Sequence, residues 1–150
     1  MKIKTHPLNS FWYVKGILTT ATLVFVFGTT ATRAVAQQRA PWVAPKTAQE
    51  VKNPLAGDKS VLADGKVLYT ANCAPCHGNK GRGDGPAAAA LNPKPADHSS
   101  VAVQNESDGA LFWKLSEGRN PMPSYKKILT DKQRWELINY IRTLSRSIAK

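Results

Sequence analysis

The chain's only two cysteines, Cys73 and Cys76, stand three residues apart and are followed at once by His77. No other stretch constrains the fold as much as Cys73-Ala74-Pro75-Cys76-His77. A disulfide across so tight a loop closes little chain and adds little stability, so the use of these cysteines lies in chemistry. A redox dithiol usually belongs to a βαβ pattern, and the sequence shows no strand pattern of useful length. A structural zinc site needs four ligands. Cys73, Cys76, His77 and His98 could supply four, but adjacent Cys76 and His77 would both have to ligate, which is awkward.

The third chemistry matches the spacing fully. Cys-x-x-Cys-His is the attachment pattern of a c-type haem. Each cysteine sulfur adds to one vinyl group, and the adjacent histidine is held over the iron. The pattern predicts one covalent haem c on Cys73 and Cys76, with His77 as the proximal iron ligand. For the distal ligand, Met122 is the one methionine beyond the first residue, and His98 is the one other histidine of that region. Met122 lies between Pro121 and Pro123, in a segment that cannot be regular. A rigid loop presents a thioether at low entropic cost, and Met/His is a standard haem ligand pair. Met122 is therefore the expected sixth ligand, with His98 the lesser candidate.

Around the motif the sequence predicts helices. Lys59 to Asn72 places Val61, Gly65, Leu68, Tyr69 and Asn72 on one face. Gly65 costs helix stability, about 1 kcal/mol against Ala; either another helix approaches closely there, or the helix is weak and starts later. Gly78 to Gly85 is a glycine-rich loop without the Gly-Lys-Ser/Thr ending of a phosphate loop. Its Arg82-Gly83-Asp84 tripeptide arises easily by chance. One turn of helix is expected over Ala87 to Leu91. Ser107 to Glu117 is a short helix capped by Ser107 or Asp108 and ended by Gly118. Thr130 to Ser147 is the clearest helix, with a Thr130/Gln133 capping box and an apolar stripe of Trp135, Ile138, Ile141, Leu144 and Ile148, widened by Leu137. The fold class is all-α: a few short helices and long loops, which need something such as a haem to fold around.

Residues 1–36 resemble an export signal. A basic start with Lys2, Lys4 and Lys15 precedes an apolar stretch, and Ala34-Val35-Ala36 offers a small-x-small cleavage pattern. Gln37 is the expected first residue after cleavage, which implies a periplasmic protein. The alternative is a retained membrane anchor, favoured by Phe11, Trp12 and Tyr13 at an interface. The charge-free run from Gly16 to Thr32 is short for a span of about 20 residues. Residues 37–57 form a Pro-rich arm with Pro41, Pro45 and Pro54, and Trp42 could pin it or stand exposed. Residues 58–150 form the haem domain.

The chain carries 21 basic and 10 acidic residues. Removing residues 1–36 takes away four basic and no acidic ones, leaving a formal charge of +7. Such a surface favours an acidic docking partner, or is simply solvated. The basic residues are scattered and no nucleic-acid motif appears, so nucleic acid is not expected.

In order and spacing these pieces resemble bacterial monohaem class I cytochromes c, from about Trp42 to Leu144. The resemblance is carried by Gly65-Lys66-Val67-Leu68-Tyr69 and Asn72-Cys73-Ala74-Pro75-Cys76-His77-Gly78, by Gly81 to Pro86 and Pro93 to Asp97, by Leu111 to Lys114 with Gly118 and Pro121-Met122-Pro123, and by Trp135, Leu137, Tyr140 and Ile141. It implies the cytochrome c fold around one haem, with the first and last helices crossing where Gly65 and Tyr69 meet Leu137 and Tyr140. It also implies that the Pro86 carbonyl accepts a hydrogen bond from the His77 ring, and that Trp113, Arg119 and Tyr125 line the haem or meet its propionates. The function it implies is that of a one-electron carrier between redox protein partners, with no catalysis of its own. A membrane-anchored subunit of an oxidoreductase is the alternative, and a haem enzyme or gas sensor a more distant one.

Overall fold

The computed structural model describes residues 40–146. Residues 1–36, expected from the sequence to be an export signal, and Ile148 lie outside them. The described residues contain helices and loops but no strand; one isolated bridge joins Arg119 to Met122. The helices are α1 (Lys46–Gln49), α2 (Leu62–Asn72), α3 (Ala74–His77), α4 (Val101–Gln104), α5 (Asp108–Glu117) and α6 (Asp131–Thr143), with a 3-10 turn over Ala88–Ala90. The all-α class is as the sequence implies.

α2 begins at Leu62, three residues later than the periodicity suggests. The Asp58 carboxylate accepts from the backbone N–H and the hydroxyl of Ser60 at 2.8 and 2.6 Å. That local turn competes with helix at its start. From there the expected face holds: Val61, Gly65 and Tyr69 are buried, and Leu68 and Asn72 partly so. Gly65 marks the helix crossing. A Cβ there would collide with the Glu136 carbonyl of α6 and crowd the Tyr140 Cβ at 3.0 Å. Tyr69 meets Tyr140 at the same crossing, ring centroids 5.2 Å apart.

α6 has the full capping box at Thr130 and Gln133, and its N-terminal Asp131 complements the helix dipole. It ends at Thr143, earlier than its apolar stripe. Beyond it, Arg146 turns to pair with Asp97 in the loop after α3. Leu137 and Ile138 are fully buried with Tyr69. Burying each aliphatic chain contributes about 1.5–3 kcal/mol. α5 starts behind the Ser107 cap, whose hydroxyl accepts from Ala110 N–H, and ends at Gly118 with φ +67°. The short α4, which no apolar period announces, is nucleated by the Ser100 cap.

The Pro-rich arm is not wholly extended. Pro45 sets up the single turn α1, its carbonyl accepting from Ala48 and Gln49. The arm packs on α5 at Gly109, where any Cβ would strike the carbonyls of Ala48 and Val51. Asn53 then ties the arm to both main helices, donating to Asp108 of α5 and Asn139 of α6 at 2.8 Å each.

Candidate haem-binding site

Cys73 is the hinge between α2 and α3: it ends one helix and caps the next. Its carbonyl accepts from Cys76 N–H at 3.1 Å and His77 N–H at 2.8 Å. This single turn puts Cys73, Cys76 and His77 at i, i+3 and i+4, hence on one face. Gly78, at φ +78°, ends the turn in a conformation that suits glycine. Both cysteines are free thiols. Burial, with Cys76 a smaller influence, pushes the Cys73 thiol up to about 12. A redox dithiol needs the opposite shift. Among the described residues no cluster of three or more His, Cys, Asp or Glu side chains is arranged to hold a metal ion, so the zinc reading has no geometric support.

His77 is buried, and its Nδ1 lies 2.9 Å from the Ala96 carbonyl. A carbonyl oxygen only accepts, so Nδ1 is assigned the proton and Nε2 keeps its lone pair. Burial lowers the pKa of the ring, against the opposing pull of the Ala96 bond. A neutral imidazole with a bare Nε2 is the form that binds a metal.

The partner of this hydrogen bond corrects the expectation for Pro86. The chain after the glycine loop turns back on α3: Gly85 N–H donates to the Cys76 carbonyl at 3.1 Å and Ala87 N–H to the Pro75 carbonyl at 2.9 Å. Pro86 is left exposed, lining a surface groove with Thr70, Pro75 and Lys80. The later Pro95–Asp97 segment reaches the His77 ring instead.

Met122 is partly buried against the core cluster. It exchanges two backbone hydrogen bonds of 2.9 Å with Arg119, which closes a tight loop. Three residues on, Tyr125 is buried and donates to the Asn72 carbonyl at 2.8 Å, directly before the motif. Burial, then Cys73 and Cys76, pushes its hydroxyl up to about 12. Tyr125 thus ties the segment that follows Met122 to the end of α2.

Trp113 and Arg119 each make a contact of their own. The Trp113 ring tilts against Trp42, centroids 6.3 Å apart, and Arg119 donates to the Ala40 carbonyl at 2.9 Å. Both meet the arm, and Trp42 is what pins it there.

The sequence offers His98 only as the lesser candidate for the distal ligand. The structure stacks it on His77, with centroids 3.9 Å apart and planes at 17°. Burial, then His77, pushes its ring down to about 3. Nothing in the local sequence marks this contact, because it joins the end of α3 to a loop 21 positions later. Ala96 was equally hidden, since its backbone is what acts. On α6, Arg134 is buried, bonded to Ser116 and laid over the Phe112 ring at 4.4 Å.

The cytochrome c family model matches residues 62–145, more than half of the sequence. The chain belongs to the cytochrome c family. It is a c-type cytochrome domain, and its chemistry is electron transfer by covalently bound haem c. Among solved structures, it is similar to a chain of the Kuenenia stuttgartiensis reducing HAO-like protein complex Kustc0457/Kustc0458, with 32% identity and a TM-score of 0.55. That alignment covers 64% of this chain and 50% of the other, so this chain matches about half of its relative's length. It is also similar to the KustC0563 c-type cytochrome, at 24% identity and TM-score 0.48, over 55% of this chain and 98% of that one. No curated protein matches the sequence. The donor set suits haem c: two free thiols and a neutral imidazole on one face, with the imidazole's Nδ1 proton given to Ala96 and its Nε2 keeping a lone pair.

Proposed function

We propose that this chain is an exported one-electron carrier that holds a single haem c through thioethers at Cys73 and Cys76, with His77 and Met122 as axial ligands. The observation that carries the reading is the His77 ring: it shares a helical face with both cysteines and spends its Nδ1 proton on Ala96. The haem, when bound, supplies an iron that cycles between the ferrous and ferric states. The protein's part is positional. The α3 turn fixes the attachment points, the Ala96 carbonyl orients the proximal ring, and the Arg119–Met122 loop offers a thioether from the other end of the chain. Tyr125, anchored on Asn72, is proposed to line the site. A Met-filled sixth position passes electrons and resists substrate binding, which favours carrier over enzyme or sensor.

The partners are proposed to be redox proteins with an acidic docking face, met by the basic surface of this chain. A solved relative belongs to a two-component complex, which favours the second reading, a dedicated subunit of an oxidoreductase. Residues 1–36 are proposed to direct export to the periplasm and to be cleaved there. No helix among the described residues is long and apolar enough to cross a membrane.

Mass spectrometry of the protein matured in a host that attaches haem tests the reading. The mass of one haem on the Cys73–His77 peptide, and a chain starting near Gln37, are expected. Met122→Ala should change the ferric absorption spectrum and open the reduced protein to carbon monoxide. An unchanged spectrum would remove Met122 as ligand, and a chain retaining residues 1–36 would favour the tethered subunit.

A further inference from the structure

We propose that His98 is a positioning residue, which fixes the rotation of the His77 ring by lying flat against its face while Tyr69 holds His98 in place. The inference rests on His77 being the iron ligand, as argued above, and concerns what holds that ligand.

Two contacts of different kinds reach the His77 ring from one short segment. The Ala96 carbonyl takes its edge, and two residues later His98 covers its face. An edge hydrogen bond alone leaves the ring free to rock about that bond. A parallel aromatic face 3.9 Å away removes this freedom. Stacked on the ring of His77 and bonded to Tyr69, His98 is placed to hold that ring, and the opposing ligand would be Met122.

His98 is itself locked on several sides. The Tyr69 hydroxyl lies 3.2 Å from the Gly78 carbonyl and 3.2 Å from His98 Nδ1. Its one proton goes to the carbonyl, so its oxygen accepts from His98 Nδ1–H. The His98 backbone donates to the Gly81 carbonyl at 2.6 Å, and its own carbonyl accepts from Gln104 at 2.6 Å. Gln104 in turn donates to the Ile141 carbonyl of α6. Gly81, at φ +72°, makes room, since a Cβ there would press on His98 and Tyr69. Tyr69 has no exposed surface and packs against Tyr140 of α6. The α2–α6 crossing is therefore linked to the ring of the proposed ligand through one tyrosine and one histidine.

A held ring keeps its bond to Ala96 aligned, and that bond raises the basicity of the ligand. A more basic ligand favours ferric iron. Releasing the ring should therefore raise the reduction potential and spread the ring over several orientations.

The test uses haem-loaded protein carrying His98→Ala, His98→Phe or Tyr69→Phe, with midpoint potential at one fixed pH and the ferric electron paramagnetic resonance spectrum as readouts. His98→Ala should raise the potential and broaden the resonance lines. His98→Phe keeps a flat face and should shift both less; Tyr69→Phe unties His98 and should fall between. Wild-type potential and line width in His98→Ala would overturn the proposal. So would a His98→Phe shift as large as that of His98→Ala. If His98→Ala gives no haem-loaded protein, Tyr69→Phe decides, and wild-type values there overturn it. Failure of the underlying haem reading looks different: wild-type protein without covalent haem, or His77→Ala with an unchanged ferric spectrum.

Discussion

Gly65 of α2 lies against the backbone carbonyl of Glu136 in α6, so close that no side chain fits between them. The contact fixes how the two long helices cross, and so where Tyr69 and, four residues further, Cys73 come to lie. Gly65→Ala gains about 1 kcal/mol of helix propensity, yet its methyl meets a backbone atom that cannot swing away. Overpacking of this kind costs about 1–3 kcal/mol, occasionally more. Gly65→Val adds more volume and gains less in helix propensity. Thermal denaturation should rank the melting temperatures wild type, Ala, Val in falling order, with exposed Lys66→Ala close to wild type. A Gly65→Ala protein more stable than wild type would show that the helices part easily.

Asn53 joins the arm to both α5 and α6 through Asp108 and Asn139. Asn53→Ala leaves both acceptors short of a donor. A lost partner of a half-buried polar group costs about 1–3 kcal/mol. Urea denaturation should move by that amount, and limited proteolysis should cut the arm before α2 sooner than in wild type. An unchanged cleavage rate would mean that the other contacts of the arm, at Gly109, Arg119 and Trp113, hold it without Asn53.

Tyr69 and Tyr125 are buried with hydroxyl pKa values raised above the usual 10, that of Tyr125 to about 12, by burial first. The folded chain keeps these protons when the unfolded chain has released them. Their contribution is therefore fully present below pH 10 and falls as pH rises from 10 towards 12. Denaturant midpoints between pH 9 and 11.5 should decline above 10. Tyr125→Phe, which cannot ionise, should show a shallower decline; an equal slope would assign the loss to other groups.

Electron exchange with a natural acidic partner should slow as salt rises, because exposed charges more than about 8–10 Å apart are screened near physiological ionic strength. Stopped-flow mixing across a salt series measures this. Rates independent of ionic strength would remove charge from the docking step.

Much of the architecture is written locally. The capping box at Thr130, the cap at Ser107 and the apolar face of α6 follow from propensity and period over a few residues. Helix ends were less legible. α2 starts late because Asp58 and Ser60 make their own turn, and α6 stops early where Arg146 leaves to meet Asp97, a residue 49 positions away.

The motif at Cys73 to His77 was determined by sequence alone, because one helical turn is enough to put three side chains on one face. What surrounds His77 was decided only in three dimensions. Ala96 acts through its carbonyl, which every residue has, so no side chain could announce it. The expectation for Pro86 failed for a related reason: the glycine loop carries that proline back onto Pro75, and the later loop arrives at the ring. Trp113 and Arg119 turned to the arm, whose course the sequence left open. His98 and His77 meet because the loop before α4 folds back on the end of α3 beside the Tyr69 crossing. Short-range physics set the attachment site, and long-range packing chose the groups that hold it still.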